Sequence, residues 1–244
     1  FAPGGIFPAP HSTLRRSAGI SLTFAPADSK RFGQNFSADD DENEPFNLTP
    51  EAVGKRALRN ICLAYLVKSG KTNFADLAFK QFKSASCMSD RLSAFEALLS
   101  VENQHQKVVI KSMFERYKND TQVMDKWFAA QALAAKTTVS DIKKLMQNPL
   151  FCFDTPNRLR SVIGSFTQNF AQFHNQNGYQ LLTKIILKLN ISNPQIGARL
   201  LGTYSHWRRF TPELKALQKQ QLEIILASKN LSNDIFEITQ TALK

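Results

Sequence analysis

The 244-residue chain has little cysteine: Cys62, Cys87 and Cys152 are widely spaced and odd in number. They make neither a disulfide framework nor a Cys-x-x-Cys metal clamp, so a reducing compartment is the simpler setting. No apolar run approaches the roughly 18 residues that a membrane span requires, which excludes an integral helical membrane protein. Histidine is also scarce. His11, His105, His174 and His206 lie dozens of residues apart and none is followed by Glu. Zinc hydrolysis on a helix needs two His at i and i+4 with a neighbouring Glu to activate water, so no zinc site can be drawn from these four. A Gly-rich phosphate loop, a Gly-x-Ser-x-Gly elbow and a locally supported Cys/His pair are missing too. No segment alternates cleanly with period two, and no proline falls between Pro50 and Pro149. A sheet is thereby disfavoured and a run of helices is allowed, since proline inside a helix costs about 3 kcal/mol.

What is present is unevenly distributed. Residues 1–45 hold 5 of the 10 prolines, 4 of the 10 glycines and an acidic run from Asp39 to Glu44. They carry 4 basic and 6 acidic residues, leaving 27 basic and 14 acidic for the rest. Such a composition buries too little surface to offset the entropy of ordering. The expected organisation is an irregular, disordered or unassigned tail over 1–45 and a folded domain over 46–244. The stretch up to Ala27 lacks acids and contains Arg15, Arg16 and several Ser, the composition of an organellar transit peptide; a translated non-coding or fusion segment is the alternative. The chain starts at Phe1 rather than Met, which points to a truncated or processed product, or to a gene-model fragment.

Helix punctuation begins after Phe46. Thr49-Pro50, Thr155-Pro156, Asn193-Pro194 and Thr211-Pro212 each put a capping side chain before a proline at the first helical position. Ser89 and Ser232 resemble further caps, and Thr138 with Asp141 has capping-box spacing, with Asp in place of the usual Glu or Gln. Leu92, Phe95, Leu98 and Leu99 repeat at helical spacing, as do Leu159, Val162, Ile163 and Phe166, then Ile196, Leu200, Tyr204 and Trp207. The pattern predicts about ten helices, including 89–102, 121–135, 156–171, 178–190 and 193–207. Their short connectors imply antiparallel neighbours. Helix pairs recurring at about 35–40 residues predict an all-α superhelix, an armadillo- or HEAT-like solenoid, with a compact bundle as the alternative architecture.

The basic body tests as a nucleic-acid surface and fits poorly. Its cations are spread along every helix and often lie within four residues of an acid, as Glu115 and Lys118 or Asp141 and Lys144 do, which reads as a solvated face. The body's Phe residues sit at helical spacing among aliphatics and read as core. Trp127-Phe128 is an apolar anchor between small residues.

Several strings are more specific. Asp125-Lys126-Trp127-Phe128-Ala129-Ala130-Gln131, Thr155-Pro156-Asn157-Arg158-Leu159-Arg160, Asn193-Pro194-Gln195-Ile196-Gly197-Ala198-Arg199-Leu200 and Leu231-Ser232-Asn233-Asp234-Ile235-Phe236-Glu237 occur in this order. Gly54-Lys55-Arg56-Ala57-Leu58-Arg59-Asn60 and Met88-Ser89-Asp90-Arg91-Leu92 precede them. From about Leu48 to Lys244 the chain resembles the C-terminal domain of the bacterial-type alanyl aminopeptidase (aminopeptidase N) family of gluzincin zinc exopeptidases. The resemblance implies a superhelix of helix pairs closing over a catalytic domain to make a chamber reached through a channel. It implies that Arg160 and Arg199 face that channel and hold the peptide beyond the scissile bond, and that Gln195 lines the wall near the first side-chain pocket. The family's zinc and catalytic motifs, His-Glu-x-x-His and Gly-x-Met-Glu-Asn, occur nowhere in this sequence, so the resemblance assigns it no catalytic residue and no zinc of its own, zinc belonging to the parent enzyme. Two departures stand out: the family's Asp-Gly-Ser-Gly-Tyr type loop is shortened to Asn175-Gln176-Asn177-Gly178-Tyr179, and its basic-aromatic turn reads Trp207-Arg208-Arg209-Phe210.

The expected function is therefore that of a C-terminal helical module of an alanyl-type aminopeptidase, inactive alone, which caps the active site and helps bind peptide. Its partners would be the peptide substrate and the parent's catalytic domain, with no membrane or nucleic acid, in the cytoplasm or, if the tail targets it, an organelle. An independent helical-repeat scaffold binding protein or nucleic acid is the competing expectation. For the arginines alone, without the resemblance, a helix-end salt bridge is the competing structural role.

Overall fold

A computed structural model describes residues 47–244. The tail expected over 1–45 and His11 lie outside the described residues. Twelve α-helices follow in order: α1 Pro50–Lys68, α2 Thr72–Ser84, α3 Met88–Leu99, α4 Gln106–Tyr117, α5 Thr121–Ala132, α6 Val139–Met146, α7 Pro156–Leu159, α8 Phe170–Phe173, α9 Gln176–Ser192, α10 Pro194–Leu201, α11 Pro212–Leu226 and α12 Asn233–Leu243. A π turn, Arg160–Gly164, continues α7, and two short 3-10 turns lie between α10 and α11. No strand occurs among the described residues.

The four Thr/Asn-Pro pairs do start helices: Pro50, Pro156, Pro194 and Pro212 are each the first helical residue. At that position the missing N–H would have had no intrahelical partner. Thr138 and Asp141 close a reciprocal capping box on α6, and Ser232 accepts the Ile235 N–H on α12. Ser89 is not a cap. It lies inside α3, whose N-cap residue Cys87 makes no side-chain cap bond.

The helix expected over 156–171 is broken. Ser165 N–H reaches back five residues to the Arg160 carbonyl, opening the π turn, and the chain leaves the helix before Asn169. Buried Asn169 donates through Nδ2 to the Ala132 and Ala134 carbonyls at 3.2 and 2.9 Å, satisfying the end of α5. That tertiary tie competes with continuing its own helix.

Packing runs between each helix and its first or second successor: α1 with α2 and α3, α3 with α4 and α5, α5 with the π turn, α9 with α10 and α11, α10 and α11 with α12. One buried cluster extends along the whole stack from Leu63 to Ile235. This is how a solenoid distributes its core, each repeat burying its apolar face on the next. Trp127 and Phe128 are buried at its middle, ring edge against ring face at 4.9 Å, with Trp127 Nε1 donating to the Ile110 carbonyl at 3.0 Å. The outer face of α1 exposes Val53, Leu58 and Ile61, and that of α12 exposes Phe236 and Ile238.

Candidate functional site

The strings singled out in the sequence separate into two kinds of place. Most of them make buried polar joints between helices. On α1, Arg59 Nη2 and Asn60 Nδ2 each donate to the Asp90 carboxylate of α3 at 2.7 Å, and the Cys87 thiol donates to it at 3.2 Å. Gln81 of α2 ties the same joint, donating to Asn60 Oδ1 and to the Asp90 carbonyl. Next to it, buried Arg91 donates to the Phe82 and Ala85 carbonyls and to the Tyr117 hydroxyl.

A second joint links α5 to α7. The Nε of Arg158 lies 2.9 Å from Asp125 Oδ1, and its guanidinium sits 4.8 Å over the Phe128 ring. Neither Asp125 Oδ1 nor Arg158 Nη1 has a directed hydrogen-bond partner, so charge, the ring face and a long bond from Nη2 to the Thr121 carbonyl at 3.5 Å hold this cation. Asn-Arg-Leu-Arg thus divides: Arg158 is internal, whereas Arg160, two residues on, is exposed.

Arg160 opens the π turn, and its Nη2 donates to Asn157 Oδ1 at 3.1 Å. No carboxylate among the described residues pairs with it. Gln195 and Arg199 are exposed one turn apart on α10, so they share a face. Arg199 has no ion pair among the described residues either, so the competing role, a helix-end salt bridge, is not formed within them. Arg160 sits on a different part of the stack, and the π turn and α10 are not among the closely packed pairs of elements. Two clefts, of about 410 Å³ beside α4–α6 and about 360 Å³ between α9 and α11, are lined by none of the three residues. Pattern reading missed Asn157, whose only signal is its i, i+3 spacing to Arg160.

Some other surface cations do pair, most of them with an acid three or four residues away. Lys118 with Glu115 and Lys144 with Asp141 stand at 3.2 Å, Lys55 with Glu51 at 3.4 Å, and Lys136 pairs with Glu102. Exposed pairs of this kind contribute about 0–1 kcal/mol each. Metal ligation finds no donor set, since no group of three His, Cys, Asp or Glu among the described residues is placed to hold an ion. His105 lies 2.7 Å from Asp76 and stacks on Phe79 at 4.1 Å. No helix among the described residues is long and apolar enough to cross a membrane.

The shortened segment Asn175–Tyr179 is not a loop but the first turn of α9, capped by the Asn175 side chain on the Gly178 N–H. Beside it Phe170, Phe173, His174, Tyr179 and Phe210 form a ring cluster. Burial pushes the His174 imidazole down to about 4, and its Nδ1 stands in hydrogen-bond contact with the Tyr179 hydroxyl at 2.9 Å. A folded value below the unfolded one means that protons bind preferentially to the unfolded chain as pH falls from about 6.5 to about 4. Stability should therefore drop across that window, by about 1–2 kcal/mol once the ring's partial exposure is allowed for. Urea unfolding at pH 4.5 and 7 checks this, and His174→Phe should flatten the difference; an unchanged slope in that variant would contradict it. In the basic-aromatic turn, Trp207 Nε1 and Arg208 Nη1 both donate to the Ala242 carbonyl, and Arg208 Nη2 to that of Leu243, so the turn caps α12.

Stacked helices packed on near neighbours, a core without a metal-binding cluster and polar joints between repeats define a helical-repeat domain of the armadillo type. The family described as "Domain of unknown function (DUF3458_C) ARM repeats" matches residues 20–244, and the chain belongs to it. It is 36% identical over 203 residues to aminopeptidase N of Haemophilus influenzae, covering 82% of this chain and 23% of that protein. It is 33% identical over 203 residues to aminopeptidase N of Escherichia coli, covering 81% and 23%. The match falls in the C-terminal part of these relatives. Among solved structures, Legionella pneumophila aminopeptidase A in complex with aspartic acid superposes with a TM-score of 0.77 at 26% identity, over 89% of this chain and 26% of that one. The chain thus spans about a quarter of the length of the relatives it matches.

Proposed function

We propose that this chain is the helical C-terminal module of an alanyl-type zinc aminopeptidase, that it caps the active site, and that Arg160, Arg199 and Gln195 help to hold the peptide. The observation that carries the reading is that the fold leaves Arg160 and Arg199 without a carboxylate while it consumes Arg59 and Arg158 in buried pairs. A guanidinium is a planar fork of donors that stays charged, suited to peptide carbonyls or a terminal carboxylate. Gln195, on the face of Arg199, adds an amide able to donate and accept.

No group of three His, Cys, Asp or Glu among the described residues is placed to hold an ion, and on this reading the zinc and the chemical step belong to the rest of the parent enzyme. Its contribution is to exclude water, orient the peptide and affect specificity and KM. Apolar side chains left open on α1 and α12 suit docking against a catalytic domain, because terminal faces of a solenoid otherwise meet water.

Two assays test the proposal. The purified chain with added zinc should not turn over an alanyl-arylamide, and genuine turnover would sink the claim that it is inactive alone. Binding of tetra-alanine by the chain should weaken about tenfold or more in Arg160→Ala/Arg199→Ala, the worth of a charged hydrogen bond or two. Tight binding of RNA or of an unrelated protein that ignores this double substitution would favour the scaffold reading instead.

A further inference from the structure

Arg160 is an exposed side chain bonded at its head and given room at its stem. At its head, Nη2 donates to Asn157 Oδ1 at 3.1 Å. At its stem, a Cβ added to Gly164 would lie 3.1 Å from Arg160 Cγ and 3.8 Å from its Cβ. Carbon atoms in ordinary contact stand about 3.5–4.0 Å apart, so any residue but glycine at 164 pushes the arginine stem aside. The π turn creates this closeness. It widens the turn that starts at Arg160 and brings the residue four positions on beneath the arginine's own side chain. Gly164 keeps an ordinary negative φ, so its lack of a side chain, and not backbone freedom, is what the position uses.

Ordering a free arginine costs as much as about 2 kcal/mol of rotamer entropy, and here no carboxylate repays it. Such an arrangement makes sense where the ordered guanidinium meets a ligand. We propose that Asn157 and Gly164 are positioning residues, which set the Arg160 guanidinium in advance for a peptide carbonyl or terminal carboxylate. This rests on the peptide-holding role given to Arg160 above. Asn157 fixes the head, Gly164 leaves room for the stem, and the buried Arg158–Asp125 pair anchors the start of the turn that carries both.

The test uses the full chain, with tetra-alanine as probe, and follows the Arg160 Nε–Hε resonance by NMR. In the wild type that resonance should report a side chain as ordered as the backbone and should shift on titration. Asn157→Ala and Gly164→Ala should each lower the order and weaken binding about three- to tenfold, the cost of immobilising one long side chain at the moment of binding. Neither should have a further effect in an Arg160→Ala background, whereas a merely structural role would weaken binding there too. Asn157 is exposed, so its variant keeps the test open if Gly164→Ala fails to fold. A mobile Arg160 side chain in the wild type, or unchanged affinity in both variants while Arg160→Ala loses binding, overturns the positioning role and leaves the peptide-holding role standing. Unchanged affinity in Arg160→Ala overturns the peptide-holding role and this one with it.

Discussion

Asp90→Ala should lower the free energy of unfolding by about 3–5 kcal/mol, because it removes the buried acceptor that Arg59, Asn60 and the Cys87 thiol share. Asp90 is 4% exposed, and its two oxygens take up Arg59, Asn60 and the Cys87 thiol at once. Without the carboxylate, three donors at the joint of α1 and α3 lose the acceptor they share. The loss is a large share of the roughly 5–15 kcal/mol that hold a domain together. It corresponds to a melting temperature lower by about 10 °C or more. Asp90→Asn should fall between, since an amide oxygen still accepts but carries no charge. Thermal and urea unfolding of the two variants decide the matter: a loss under about 1 kcal/mol in Asp90→Ala would mean that water reaches the joint and screens it.

The same joint explains why some strings were recognisable and what they are for. Gly54–Asn60 and Met88–Leu92 meet through Arg59, Asn60 and Asp90; Asp125–Gln131 and Thr155–Arg160 meet through Asp125, Phe128 and Arg158. Resemblance carried by such residues reports the architecture of a helical stack. It does not by itself report a site. Of all the body's basic residues, pattern alone could single out none, and Arg160 and Arg199 were named only through the family. The structure adds a physical distinction between Arg158, buried and paired, and Arg160, exposed and held without an acid.

Most helix starts were legible in the sequence, and three helix ends fell well short of the expected position, for a reason of range. A start is written locally in a Thr or Asn, a Pro and a short side-chain bond, as at Asn193, whose Oδ1 accepts the Ile196 N–H. Some ends fall short of the apolar pattern where side chains further along the chain take the last carbonyls. Helix α3 stops at Leu99 instead of 102 because the amides of Asn103 and Gln106 both donate to the Leu98 and Val101 carbonyls. Helix α5 stops at Ala132 instead of 135 where Asn169, 37 positions along, caps it. The stretch expected as helix to 207 turns 3-10 at Gly202, and its aromatic residues are called elsewhere: the Tyr204 hydroxyl donates to the Tyr179 carbonyl and the Trp207 indole to that of Ala242. No short window of sequence contains both partners of the Asn169, Tyr204 and Trp207 bonds.

Gly178→Ala should cost about 3 kcal/mol or more, although alanine is the better helix former. A Cβ at 178 would stand 2.1 Å from the Phe173 carbonyl oxygen and 3.2 Å from Phe173 Cδ2. Neither can retreat cheaply. The oxygen already accepts the Asn175 N–H at 2.8 Å, and the ring is 1% exposed between Phe166 and Tyr179. Relief of the clash has to move α8 away from the start of α9, which also undoes the Asn175 cap and the His174–Tyr179 bond. Gly54→Ala is the control. It lies in the interior of α1 with nothing among the described residues within 4 Å of an added Cβ, so it should gain about 0.5–1 kcal/mol. Chemical denaturation of the two variants should thus give opposite signs for one substitution. If Gly178→Ala were as stable as the wild type, the close approach of α8 to α9 would be wrong, and with it the packing that buries the His174 ring.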